Sequence, residues 1–550
     1  MPKNLFAFVW LCAGLLFVAG GEAAEPKLVG HWPFRGDVRD HSGSELKATA
    51  KAVNLDVAGP AKEPRGAAGF NGRASRLEVA DAPQLGHGEF SLSLWANTDA
   101  NLGDSVGDLL SRYDPATRTG FHLGLYNHGG VTNSQSNSRQ LHFGIDQGKL
   151  EPAFKDHGRV GNAVYVFALC VHNGHLYAST CHAGAGEAGR VFRFEGGDHW
   201  KDLGSPDKAN AISAMAVHNG KLFVASSKYR LAGSALAESE NKNFGGKIFE
   251  LGDNDQWIAR GALPPETEAV ASLIVFRGKL YAASLYRPAG FYVYENETWK
   301  ACATPGKRVE ALTVFNDALY GTSYDEGSVF RFDGEKWEHL GTLPDATQTY
   351  GFAIHRGELY VSEWPKAHVF RLSDGKWVDT GKLGQELEAM PLLVYNGKMY
   401  GGTLPSAEVY RYDGDMNWAK IGVLDTTDTK YRRAWSMAVY QGRLFTGTLP
   451  SGHVLSIEAG RNVTSDHELK PGWHHLAAVR AADRLRLFVD GKQVAESAPF
   501  SSQDFDLTTS APLQIGFGAQ NYFRGDLSDV RLYQGALTAE QVGDLAKKAP

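Results

Sequence analysis

Two glutamates, Glu310 and Glu388, and two arginines, Arg308 and Arg433, recur at set distances ahead of tight turns. Two carboxylates across one site can act as the acid and base of glycoside hydrolysis. The same groups beside aromatic rings suit a hydroxylated ligand, because C–H faces stack on rings while hydroxyls take hydrogen bonds. The turns are marked by Gly174, Gly220, Gly278, Asp317, Gly357, Gly397 and Gly442. Seven and nine residues before them stand Phe167 and Tyr165, Ser213 and Ala211, Ala271 and Ala269, Glu310 and Arg308. The series continues with Tyr350 and Gln348, Met390 and Glu388, Trp435 and Arg433. Loops after the following strand open on the same face and bring Tyr229, Arg230, Tyr286 and Arg287, then Tyr324, Asp325, Glu363 and Trp364. Together these define a candidate ligand face. The alternative is that half of these side chains plug a central channel.

The elements that must carry this face are hairpins. Segments such as FALCVHNGHLYAST and WSMAVYQGRLFTGT each join an apolar strand to an apolar-aromatic one through a two-residue turn, where glycine or asparagine accepts positive φ. A third strand follows, as in VFRFDG, and a fourth begins at Trp200, Trp257, Trp299, Trp337, Trp377 or Trp418. Seven hairpins therefore meet six tryptophan strands. The motif FKDHG at Phe154–Gly158 repeats WKDLG at Trp200–Gly204 and supplies the missing strand from the N-terminal side. Four-stranded units repeating at roughly forty residues predict a β-propeller. Seven blades, the last closed by three strands from one end of the array and one from the other, leave no free edge. Six residues before each turn marker stand Ala168, Ala214, Ser272, Ala311, Gly351, Pro391 and Ser436, all small, as crowding around an axis demands. The arrangement resembles Kelch-like propellers, with only Gly401-Gly402 matching their double glycine.

The repeats are flanked by LVGHWPF, AAGFNG, SRLEVADAP and FSLSLWANT on one side, and by GWHHLAAVR, LRLFVDGKQV, LQIGFG and GDLSDVRLYQGALTAEQV on the other. Together these closely resemble a laminin-G-like domain of the concanavalin A-like superfamily. The expected fold class is thus all-β: a concanavalin A-like jelly-roll sandwich with an inserted seven-bladed propeller. The expected limits are 26–147 and 461–547 for the two halves of the jelly roll and 150–460 for the propeller. The resemblance implies loop sites for calcium and for sugars or proteins, with Asp37, Asp40 and Asp104 as calcium candidates. It also implies structural roles for His474 and His475. Glucanases of that superfamily carry alternating carboxylates on a catalytic strand, and no E-x-D-x-x-E run occurs in either half.

Net charge is -6 without a basic cluster, which argues against a nucleic-acid partner. Lys3, the apolar run Leu5–Gly20 and the small residues before Glu25 form a secretory leader, expected to end at Ala23 and leave no membrane span. Cys170, Cys181 and Cys302 then remain. Hairpin pairing of Cys170 with Tyr177 and of Cys181 with Val166 sets the first two too far apart for a disulfide. Ser323–Ser328 resembles a sialidase Asp-box but follows the second strand instead of the third. Asn296 and Asn462 head glycosylation sequons, and Walker, Rossmann, H-E-x-x-H and G-x-S-x-G motifs are missing. The reading is an exported, non-catalytic binding protein for glycans or surface proteins. The alternatives are a propeller-based glycoside hydrolase or lyase, and a structural adhesion module.

Overall fold

The computed structural model describes residues 25–99, 102–104, 106–149 and 153–548; the leader 1–23 lies outside them. Residues from both ends of the chain build two antiparallel sheets. One runs in the order 54–57, 67–71, 524–534, 90–98, 472–480, 485–489 and 492–496, with 27–32 also on 524–534. The other runs 48–51, 76–79, 513–515, 107–114, 119–128, 137–147 and 461–465. Gly472–Arg480 pairs along its length with Phe90–Thr98, and Arg461–Ser465 with part of Asn137–Gln147. Neither flank could complete a sheet alone. One apolar core, including Trp32, Phe90, Phe143, Leu476 and Leu527, lies between the sheets, as expected when strands alternate inward apolar residues.

The residues between form a propeller-like array: four four-stranded antiparallel sheets and, over 165–301, one twelve-stranded sheet whose three four-stranded units are joined only by the single pairs Cys181–Ala211 and Ser227–Ala269. Val309–Phe315, Ala318–Ser323, Ser328–Phe332 and Trp337–Thr342 follow one another in space as in sequence, and so do the strands from Gln348 to Lys382 and from Glu388 to Val423. The sheet of Arg433–Tyr440, Arg443–Leu449 and His453–Ile457 takes its fourth strand from Lys155–Arg159, with Lys155 opposite Ser456. Ser436 Oγ donates to Val166 O at 3.0 Å, joining that sheet's inner strand to the first hairpin.

The tryptophans show why this order holds. Each indole N–H donates to a carbonyl on, or just past, the outer strand of the preceding four-stranded unit: Trp257 to Leu203 (2.8 Å), Trp299 to Arg260 (2.9 Å) and Trp418 to Thr380 (3.0 Å). Trp200 donates to His157 O at 2.9 Å, on the strand that FKDHG forms. Phe154 packs on the cluster of Met437 and Leu455 beside Gly422, without an N–H to give.

One sequence-based pairing is corrected. Cys170 faces Tyr177, but Cys181 faces Tyr165 and not Val166, because the register slips between Val166 and Ala168. The same slip recurs at Ile212/Ala214, Val270/Ser272, Val309/Leu312, Thr349/Phe352, Ala389/Leu392 and Ala434/Ser436. Cys170 and Cys181 are buried free thiols and Cys302 is a half-buried one. No helix of the described residues is long and apolar enough to cross a membrane.

Candidate functional site

The recurrent slip is a β-bulge, which adds one residue to a strand and re-aims its side chain. The added residues include Phe167, Ser213, Glu310, Tyr350 and Trp435, which stand seven places before the turn marker. Small residues follow the bulge because the next sheet is close: a side chain on Gly351 would meet the carbonyl of Met390. The bulges thus turn variable residues toward the common centre of the array.

There they bound a cavity of about 30 Å³. That is room for about two waters. Its walls are Phe167, Tyr229, Tyr286, Tyr324, Tyr350 and Trp435, and its charged groups are Glu310, Glu388 and Arg433. The structure therefore brings together nine of the predicted aromatic and charged residues, with Ser213 and Ala269 of the same face beside them. Others lie outside the cavity. Tyr165 is buried beneath, with its ring 4.2 Å from that of Phe167. Arg308 is held by Asp325 and stacks on Tyr324 at 4.6 Å. Gln348 bonds the Tyr350 hydroxyl, Trp364 packs on the surrounding cluster, and Arg287 is exposed. Arg230 covers Tyr286 at 4.6 Å while pairing with Glu268.

Part of this face has the plugging role that the sequence left as the alternative. Phe167, Tyr350 and Trp435 are only 4–5% exposed, and they pack on one another to keep water from the array's centre. Tyr229, Tyr286 and Tyr324 are half-buried and form the rim. Over one side lies Leu231–Ser234, with Leu231 in the same aromatic cluster. Ser234 Oγ accepts from Arg433 Nη1 at 2.7 Å and bonds the Tyr229 hydroxyl at 2.6 Å.

The charges at the centre are buried. Burial pushes the Glu310 carboxyl up to about 8, with Asn133 and Arg308 acting against that rise. Burial also raises Glu388, opposed by Arg433, whose guanidinium lies 3.8 Å away. Oε2 of Glu310 and Oε1 of Glu388 have no hydrogen-bond partner of ordinary geometry, although the Tyr350 hydroxyl, which bonds Gln348, lies near enough to Glu388 to act against its rise. Unpaired buried acceptors are uncommon and point to a ligand, a proton or water.

Asn133 was not singled out by any sequence pattern. It belongs to the hairpin tip between Thr119–His128 and Asn137–Gln147 of the sandwich, and that tip runs into the centre of the array. Its amide donates to Ala271 O (2.6 Å) and accepts from Trp435 Nε1 (2.9 Å). Around it the plug bonds the inner strands in turn. Val171 N donates to Ser136 O, Met215 N to Ser134 Oγ, Leu273 N to Asn133 O and Phe352 N to Gly130 O, at 2.9–3.3 Å. Thr313 Oγ1 donates to Gly129 O at 3.2 Å, and Val439 N to Asn137 Oδ1 at 3.1 Å. An inner strand has one unpaired edge, and these bonds satisfy it.

The hairpin turns dock on the sandwich at the opposite end. Gly174 N donates to Asp466 O (2.9 Å), Gly357 N to Gln520 O (3.1 Å), Asn316 N to Asp104 Oδ2 (2.7 Å) and Gly442 N to Thr464 Oγ1 (3.0 Å). His122 bridges Asn396 Oδ1 (2.9 Å) and the Tyr126 hydroxyl (3.0 Å), which donates to Asp108 at 2.7 Å. Asn462 is buried there, donating to Tyr395 and Ala459, so its sequon is closed in the folded chain, whereas Asn296 is exposed.

The calcium candidates do not fit a shared cradle. Asp40 accepts from the backbone of His31, Ser42 and Leu46, Asp37 pairs with Arg39, and Asp104 serves Asn316. Among the described residues no group of three or more His, Cys, Asp or Glu side chains is placed to hold a metal. His475 bonds Ser93, and His474 bonds Asp490. The Asp-box-like run is a local clamp: Asp325 N donates to Ser323 Oγ, and the carboxylate holds Arg308.

Residues 410–543 match a family model described as the concanavalin A-like lectin/glucanases superfamily. That match takes in the last strands of the array as well as the C-terminal strands of the sandwich. No curated protein sequence matches the chain. Among solved structures, YCF48 bound to a D1 peptide is similar at 9% identity and TM-score 0.40, covering 56% of this chain and 97% of that one. The WD40 β-propeller domain of Doa1 is similar at 10% identity and TM-score 0.41, covering 56% and 97%. An extracellular domain assigned to a hybrid two-component system of B. thetaiotaomicron is similar at 13% identity and TM-score 0.41, covering 62% and 46%.

Proposed function

We propose that the chain is an exported recognition protein without catalytic turnover, binding a carbohydrate or cell-surface ligand at the mouth of the array. In this reading a seven-bladed propeller, residues 150–460, is inserted into a laminin-G-like jelly roll of residues 26–147 and 461–547. Pairing of Lys155–Arg159 with His453–Ile457 supports a three-plus-one closure. The relay of indole N–H groups from sheet to sheet supports a ring. Kelch-like character rests only on Gly401-Gly402. Export rests on the leader composition alone.

The observation that carries the reading is the pair of unpartnered carboxylate oxygens on an aromatic cavity far from the docked turns. The test is a glycan and surface-protein array probed with wild type and with Trp435→Ala, whose folding is checked by circular dichroism. Hits lost in the variant support the reading; a blank array with no ligand-induced rise in melting temperature counts against it.

A hydrolase remains the second reading, because Glu310 and Glu388 share one cavity and Arg433 favours the ionised form of Glu388 only. Two carboxyls whose surroundings pull their proton affinities apart are the pairing glycoside hydrolysis uses. Against it stands the cavity of about 30 Å³, too small for a sugar ring. Release of reducing sugar from a polysaccharide panel, abolished in both Glu310→Gln and Glu388→Gln, would establish turnover.

A further inference from the structure

The mouth cavity carries three buried ionisable side chains and an uneven charge. Glu310 and Glu388 are each 2% exposed, and Arg433 is 8% exposed. With all three ionised the cavity holds one negative charge in excess. A buried charge needs a partner of opposite sign, and a proton or a bound cation are the two ways to supply one. Arg433 is already committed to Ser234 Oγ and to Glu388. The unpartnered oxygens, Glu310 Oε2 and Glu388 Oε1, belong to carboxylates that line the same space.

The walls favour a cation over a neutral group. Tyr286, Tyr324 and Trp435 line the space, and ring faces attract cations: Tyr286 and Tyr324 each already carry a guanidinium on one face, from Arg230 and Arg308. The volume admits a group the size of one or two waters. A divalent metal would want three or more carboxylate or imidazole ligands, and no such group exists among the described residues. An anion would meet two carboxylates and one arginine.

We infer that the mouth cavity binds the ammonium head of a ligand, a primary amine held between Glu310 and Glu388 while the rest of the ligand lies across the tyrosine rim. This rests on the recognition reading above and names the chemistry of its ligand. At neutral pH the space is balanced by a proton on Glu310, whose carboxyl burial has pushed up to about 8. Amine binding then exchanges that proton: the carboxylic acid becomes a carboxylate paired with the ammonium, and the proton leaves to solvent. The groups facing Glu310 are Asn133 from the plug, Arg308 on its own strand, Glu388 and, through their phenols, Tyr286, Tyr324 and Tyr165. Arg433 faces the space from beside Glu388.

The experiment is calorimetric titration of the full chain with methylammonium chloride, with methanol as the neutral control of similar size. Saturable binding of methylammonium, none of methanol, and close to one proton released at pH 7 are expected, the last read from two buffers of different ionisation enthalpy. Affinity should rise about tenfold per pH unit up to about pH 8 and then level. Glu310→Gln should weaken binding about tenfold or more. Should that variant fail to fold, Glu388→Gln and the wild-type pH profile carry the test. Equal binding of methanol, a flat pH profile or an unaffected Glu310→Gln overturns the inference. A polyglucosamine, its N-acetylated form and a lysine-rich peptide separate the sources of the amine, and equal binding of the N-acetylated form also overturns it. Array hits on neutral glycans without methylammonium binding would sink this inference and leave the recognition reading standing. A blank in both would sink both.

Discussion

The two ends of the inner strands meet opposite environments. At the turn end many buried polar groups are bonded by the plug and by the sandwich strands that receive the turns, and those left unpaired, such as His128 Nε2, Gln135 Oε1, Gln140 Nε2 and both ring nitrogens of His355, sit on amide or imidazole side chains. At the bulge end, polar groups are equally buried but left with free acceptors. Both ends exclude water and both leave polar atoms unpaired, so neither burial nor satisfaction alone marks function; what sets the bulge end apart is that its unpaired oxygens belong to two carboxyls lining one cavity. A carboxyl in that setting calls for a proton or a counter-charge, a stronger demand than that of an unpaired amide or neutral imidazole.

The largest effect should come from the plug. Removing residues 130–135 and closing the hairpin with a two-residue turn strips the inner strands at Met215, Leu273 and Phe352 of their plug partners and Trp435 of its acceptor, and melting should fall by ~10 °C or more. A melting temperature close to wild type would mean the docked turns alone hold the array, and the contrast would fail.

Next comes the sign of pH dependence. Burial raises the folded pKa of Glu310 to about 8, so its protonated form is the favoured one in the folded chain. Its contribution to stability is present at acid pH and is lost as pH rises from the ordinary carboxylate range through about 8. Melting curves of Glu310→Gln should therefore gain on wild type across that window. At the docked end burial lowers His122 and His128 to about 4 and His142 well below its ordinary value. Their contribution is present above pH 6.5 and lost on acidification toward 4. The raised carboxyls of Asp108 (about 6) and Asp466 (about 7) oppose that trend, so the histidine part is read by difference. Relative to His142→Gln, wild type should lose stability as pH falls from 6.5. Parallel slopes for the two variants would erase the distinction between the ends.

Trp435 links the two regions, because its indole reaches the plug's Asn133 while its ring walls the cavity. Trp435→Phe should cost about 1–3 kcal/mol in urea unfolding by leaving Asn133 Oδ1 without that donor. A larger loss in a double variant with Asn133→Ala than the single losses sum to would show coupling beyond this bond. Smallest is the outer relay: Trp299→Phe should cost about 1 kcal/mol, the value of one neutral hydrogen bond. An unchanged midpoint would mean the relay follows the sheet order without supporting it.

Much of this was legible in the chain. The turn markers, the small residues beside the axis and the FKDHG strand are short-range or repeated, and they predicted which strands pair. Nine of the predicted site residues meet at the cavity because they share one offset from a turn or follow one strand end. Arg308, Gln348 and Arg287 shared those positions but not the cavity. Each found a neighbour or solvent first, Arg308 through Asp325 and Gln348 through Tyr350. Asn133 was hidden for the converse reason. The run GGVTNSQSNS has the composition of an exposed loop, yet Thr132–Asn137 is at most 3% exposed.

The sequence by itself determined repetition: strand, turn, strand, each encoded by sterics within a few residues and copied along the chain. It also determined that both flanks were needed for one sandwich, since neither holds enough strands. Only the tertiary structure decided what fills the centre and what is left unpaired there. A polar hairpin can be buried only if distant backbone edges take its hydrogen bonds, and a bulge aims a side chain only where the neighbouring sheet leaves space. Those conditions depend on residues one to three hundred positions apart, as between Asn133 and Ala271 or Trp435. Local pattern carries no record of them.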